Sequence, residues 1–161
     1  RYSLSKMERN TTLLDEINIV KQYIFIQKVR YDDRLTFNLD IDIGIKDIVV
    51  PGMTLQPFVE NAFIHGIEPK EEGGYINIKI YKELNECKLI IEDNGCGIDA
   101  DTLRKIKSGG SDGEHIGHTT GLGIKSVVDR LEIFYGEKNM FNISSNVGQG
   151  TKIFLRIPIR S

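Results

Sequence analysis

The chain has 161 residues, enough for one domain with a sizeable core. Hydrophobic residues make up 40% and charged residues 27%, which excludes a disordered or membrane-embedded composition. The net charge of -2 gives no broad electrostatic reason to expect nucleic acid or an anionic membrane as partner.

No apolar run approaches the roughly 20 residues that cross a bilayer, and no signal peptide opens the sequence. The start at Arg1 rather than Met makes a fragment of a longer protein the expectation. Cys87 and Cys96 form no CxxC pair and read as reduced thiols. His65, His115 and His118 share no acidic or cysteine spacing of the kind that marks a metal site.

Residues 12–31 predict a helix whose apolar side carries Leu13, Leu14, Ile17, Val20, Ile24, Gln27 and Val29, with Thr12 and Glu16 suited to its start. Alternation over 35–41 predicts a strand, and 48–51 closes a short connection. A second helix is expected after Thr54 as cap, with Pro57 in its first turn and Gly66 as its end. Its stripe is Leu55, Phe58, Val59, Ala62 and Phe63, which leaves Glu60, Asn61, Ile64 and His65 off-centre.

Residues 75–81 and 87–93 alternate as a hairpin around a polar turn. A short helix is expected over 99–107, a mobile glycine-rich loop over 108–121, a helix over 122–134, and a last hairpin of 140–145 with 151–157. This order of elements predicts an α/β (α+β) two-layer sandwich with a mixed, mostly antiparallel sheet and helices on one face.

Four segments carry chemistry. Asp93-Asn-Gly-Cys-Gly97 puts a carboxylate at a strand end, where it can accept a hydrogen bond from an amino group, before two glycines that permit close backbone approach. Gly121-Leu122-Gly123 opens a helix, whose free amides and positive dipole end can hold phosphate; taken alone it reads first as an ordinary flexible loop with a helix cap. Lys125 could add a charge there. Asn61 is a hard neutral oxygen ligand suited to Mg²⁺, or else a core bridge, and its neighbour Glu60 could polarise a hydroxyl or simply be ion-paired. Gly148-Gln-Gly-Thr151 is a hairpin turn whose hydroxyl could also reach a base.

In this order the four segments resemble the N box (residues 55–66), the G1 box (93–97), the G2 box (121–123) and the final glycine-Thr motif (148–151) of the ATP-binding domain of histidine kinases in the GHKL superfamily. Together with residues 13–34 they are similar to the LytS/YesM type of sensor kinase. The resemblance implies a Bergerat-type fold spanning 32–161, an ATP lid at about 108–120, and residues 1–31 as the end of a dimerisation helix and its linker.

It also implies adenine bound by Asp93 with Thr151 assisting, Mg²⁺ on Asn61, and nucleotide contacts from His65, Gly95, Gly97, Gly121, Leu122 and Gly123. Glu60 is the candidate for polar assistance to catalysis. Pro57 stands where hydrolytic members of the superfamily place a catalytic Glu, no clear F box precedes the lid, and no phosphoacceptor segment occurs.

The implied protein is therefore a cytoplasmic catalytic domain of a membrane sensor kinase. It would transfer the γ-phosphoryl group of ATP to an upstream histidine within a homodimer and then serve a response regulator. A GHKL ATPase driving conformational change, or a degenerate scaffold domain, are the rivals.

Overall fold

The computed structural model describes residues 9–108 and 123–159; residues 109–120 of the expected lid, His115 and His118 among them, lie outside these, as do Gly121 and Leu122. The first helix, Leu13–Tyr31 (α1), is capped by Thr12, whose hydroxyl accepts the Asp15 amide at 3.2 Å. Its buried stripe is Leu13, Glu16, Ile17, Val20, Ile24 and Gln27. Leu14 and Val29, expected on that stripe, are 36% and 72% exposed. A tighter turn then leads into Leu35–Ile41 (β2).

Before α1, Asn10–Thr12 (β1) pairs antiparallel with Val49–Pro51 (β3) in a small sheet, so the segment read as a plain connection is a strand. Isolated three-residue strands carry no alternation long enough to detect. The remaining strands, Gly74–Glu83 (β4), Glu86–Asp93 (β5), Phe141–Asn146 (β6) and Gly150–Pro158 (β7), join β2 in one sheet of order β2-β4-β5-β7-β6. Only the β2–β4 pair in that sheet is parallel, as the mixed, mostly antiparallel expectation required.

Alternation decides which sheet face is covered. Ile76, Ile78 and Ile80 of β4, Cys87, Leu89 and Ile91 of β5, and Ile153, Leu155 and Ile157 of β7 are buried beneath the helices. Leu13, Ile17, Val20 and Ile24 of α1 belong to this same core, so no gap in packing marks a boundary at residue 31.

The helix after β3 departs from expectation at both ends. Gln56–Asn61 (α2) widens into a π-helical turn over Ala62–Ile67, so Gly66 does not end it. Thr54 does not cap it either, because its hydroxyl donates to the Pro51 carbonyl. Ala100–Lys107 (α3) is capped by Asp99, which accepts the Thr102 amide at 2.9 Å, and Ile124–Tyr135 (α4) starts from Gly123.

Candidate functional site

A cavity of about 480 Å³ opens between the covered face of the sheet and the helical layer. That is within the range typical of small-molecule sites. Its floor is Ile91 and Asp93 of β5, Thr151 and Ile153 of β7, and Ile143 of β6. One wall is the π-helical stretch, with Asn61, Ala62, His65 and Gly66; the other runs from Gly97 and Ile98 to Asp99, Thr102 and Lys105. Ile124 closes the side where α4 begins. Polar and apolar residues thus share the lining about equally, with Asn61 and Asp93 its buried polar groups.

Asp93 is the last residue of β5, only 6% exposed, and pairs in register with Thr151. Its Oδ1 accepts the Gly95 amide at 2.8 Å. Burial pushes its carboxyl up to about 6, although the amides of Gly95 and Thr151 favour the charged form. A desolvated carboxylate of this kind gains strongly from a donor that enters the cavity.

Thr151 is held from behind. Ser145 Oγ lies 2.8 Å from Thr151 Oγ1, donates to the Gly150 carbonyl at 2.9 Å and accepts the Ile98 amide at 2.8 Å. With the serine proton on Gly150, the Thr151 hydroxyl donates to Ser145 and keeps its lone pairs for a ligand. Ser145 was not legible in sequence as part of the site, because nothing in a polar strand end distinguishes it.

The glycines after Asp93 serve the protein's own close packing before they serve any ligand. A Cβ on Gly95 would lie 2.4 Å from the Gly66 backbone, and one on Gly66 would lie 2.9 Å from Asp93 Oδ1. Gly66 accepts the Cys96 amide at 3.0 Å, which locks the π-helical turn to the acid. Gly97 has φ +76° and backs onto the Asn146 carbonyl, 2.1 Å from where its Cβ would sit. Gly97 lines the cavity; Gly95 does not.

Asn61 is 7% exposed, and neither its Oδ1 nor its Nδ2 has a hydrogen-bond partner among the described residues. Leaving a buried amide unsatisfied costs roughly 1–3 kcal/mol per group, so this side chain is poised for a ligand. Its carbonyl oxygen is the donor type that Mg²⁺ takes alongside phosphate and water.

Glu60 is also buried but does not line the cavity; its carboxylate accepts from Gln56 Nε2. After burial, its charge is the next cause that holds the Tyr23 hydroxyl above its usual range. Lys125 is paired with Asp129 at 2.7 Å and likewise stands outside the lining. Gly123 precedes α4 in extended conformation with no side-chain cap, next to the cavity residue Ile124. Both cysteines are free thiols, and the buried one, Cys87, is pushed up to about 12 by its burial.

A two-layer sandwich with a buried acid and a half-buried hydroxyl in register on the floor, and an unsatisfied amide in the helical wall, is the architecture of a nucleotide-binding α+β domain. Residues 47–161 match the family model described as Histidine kinase-, DNA gyrase B-, and HSP90-like ATPase, and residues 1–35 match the model described as Histidine kinase. The chain belongs to the family of histidine kinase-, DNA gyrase B- and HSP90-like ATPases.

Over 161 residues it is 33% identical to the sensor histidine kinase YesM of Bacillus subtilis (strain 168), covering 100% of this chain and 26% of YesM. It therefore spans about a quarter of that relative's length. Among solved structures, the catalytic domain of histidine kinase ThkA is similar with a TM-score of 0.65 at 18% identity, covering 94% of this chain and 97% of that one. ThkA in complex with response regulator protein TrrA matches with a TM-score of 0.59 at 21% identity, over 94% of this chain and 42% of the other. Both share the fold.

Proposed function

We propose that this chain is the ATP-binding catalytic domain of a two-component sensor histidine kinase. The observation that carries the reading is Asp93 and Thr151 in register on the cavity floor beneath the unsatisfied amide of Asn61. Asp93 accepts the exocyclic amine of adenine, and the Thr151 hydroxyl, held by Ser145, assists. His65 and Gly97 border the bound nucleotide, and Gly121, Leu122 and Gly123 face its phosphates with residues 108–120 as the lid. Gly95 acts on the ligand only through the turn it permits. Asn61 holds Mg²⁺, which when bound neutralises phosphate charge. Glu60, turned to Gln56, is assigned no step.

The γ-phosphoryl group goes to a histidine of the dimerisation domain of the same homodimeric protein, upstream of this chain, and from there to a response regulator. Catalysis of such a transfer rests on position and charge more than on a base. That agrees with Pro57 standing four residues before Asn61, where a water-activating Glu would favour the ATPase reading. No described helix is long and apolar enough to cross a membrane; a cytoplasmic position inside a membrane sensor is part of the proposal.

Calorimetric titration with a non-hydrolysable ATP analogue and Mg²⁺ tests the binding half. Asp93→Ala is expected to lose roughly 10–100-fold in affinity, the size of one hydrogen bond to a charged group. Equal binding by both proteins, or by neither, refutes it. For the transfer half, γ-labelled ATP should leave no acid-labile phosphate on this chain alone and should label an added histidine-bearing dimerisation segment.

A further inference from the structure

The stretch from residue 52 to residue 55, which leads into α2, is held from two sides by groups outside it. On one side is Glu16, from the first turn of α1 and 3% exposed. Its carboxylate accepts the amides of Met53 at 3.2 Å, Thr54 at 2.8 Å and Leu55 at 2.9 Å. On the other side is Arg130 of α4, whose guanidinium donates to the carbonyls of Gly52 and Met53. Met53 has φ +60°, a left-handed turn that swings successive amides towards one acceptor.

No side chain of α2's own caps it, because Leu55 stands at the N-cap and the Thr54 hydroxyl donates to Pro51. A helix start needs its free amides satisfied, and an acid is the favoured group there. Here the acid arrives from a different helix. Two charges of opposite sign are thereby committed to one four-residue turn, and that turn sets the origin of the helix that carries Asn61.

We infer that Glu16 and Arg130 are positioning residues for the metal and phosphate end of the site, which they hold by clamping the start of α2 between α1 and α4. The inference rests on the nucleotide reading of the cavity. Asp93 and Thr151 stand on strands and take no part in the clamp. Asn61 stands on the clamped helix. The clamp acts on the start of α2, which leads directly to Asn61, whereas Asp93 meets that helical stretch at its far end, at Gly66, and is anchored with Thr151 in the sheet; α4, which begins just after Gly123, is tied into the same turn.

Adenosine and Mg·ATP separate the two ends. Both ligands are titrated against the wild-type chain, Glu16→Gln and Arg130→Met. Each variant is expected to weaken Mg·ATP by roughly ten-fold, the size of one lost charge-assisted hydrogen bond, and to leave adenosine affinity within about two-fold. Arg130→Lys, which keeps a charge but not the fork, should fall between wild type and Arg130→Met.

A purely structural role would move both ligands together, or only the melting temperature, and either result overturns the inference. The two positions stand on different helices, so the arginine variants carry the test if Glu16→Gln does not fold. A wild-type chain that binds Mg·ATP normally but shows no change of ratio in the variants defeats this inference alone. A wild-type chain that binds neither ligand defeats the nucleotide reading beneath it as well.

Discussion

Asp93 carries both the chemistry of the site and a cost to the fold. As an acid whose folded value is raised by burial to about 6, it makes the folded protein take up a proton between the ordinary carboxylate range and about 6. Its contribution to stability is therefore fully present at low pH and is lost as pH rises through about 6. Replacing the charge with a neutral isostere removes that loss. Asp93→Asn should stabilise the ligand-free protein at pH 7.5 by about 3 kcal/mol at most, a gain that vanishes by about pH 4. The same variant should bind ATP more weakly. Thermal melts of both proteins across pH check the first part, and nucleotide titration checks the second. Asn61 makes the same point without a charge: its unsatisfied amide is a local deficit that a ligand removes.

Among the elements, the Asp93–Gly97 turn and the helix from Gln56 to Ile67 are built against each other. Gly95 and Gly66 interlock backbone to backbone, and Gly97 passes the Asn146 carbonyl in a left-handed conformation. Gly97→Ala imposes an unfavourable φ, costing roughly 1–2 kcal/mol, before the contact with Asn146 is counted. Its melting temperature should fall by at least about 2–4 °C, and more if Asn146 cannot retreat. Gly148→Ala tests the steric part. Gly148 also has positive φ but nothing within 4 Å of its Cβ position, so it should lose less than Gly97→Ala. The helix core was readable from its apolar spacing. Its start and its end were not, because the start is capped by Glu16 from another helix and the end is widened by the π turn.

At the scale of the whole molecule, α1 is not an appendage. Leu13, Ile17, Val20 and Ile24 are at most 2% exposed and share one core with the sheet. Burying four such side chains contributes on the order of 6–12 kcal/mol. Net stabilities of domains are only about 5–15 kcal/mol. Deleting residues 1–31 should therefore leave a chain without a cooperative thermal transition, whereas the full chain should melt in a single step. Calorimetry of the two chains decides this; a truncated chain with an unchanged transition would show that residues 32–161 fold independently. The large exposed apolar residues of α1, Leu14, Phe25, Ile26 and Val29, lie off this packed stripe.

Local pattern was sufficient for most of the architecture. Strand alternation and helix spacing depend on near neighbours in the chain, so the strands of the five-stranded sheet and the helices among the described residues could be read from the residues that form them. The candidate site was legible for the same reason where its residues sit in short motifs: Asp93, Asn61, Gly97 and Thr151 do line one cavity. Tertiary structure alone decided which of those residues face it. It turned Glu60 to Gln56, used Gly95 to seat Gly66, set Ser145 behind Thr151, and sent Glu16 across 37 to 39 residues to cap a helix not its own. Glu16 and Gly66 are distant in sequence from the residues they meet, and even where the partner is near, as for Gln56 and Ser145, the satisfaction of a buried polar group depends on what the fold brings to it.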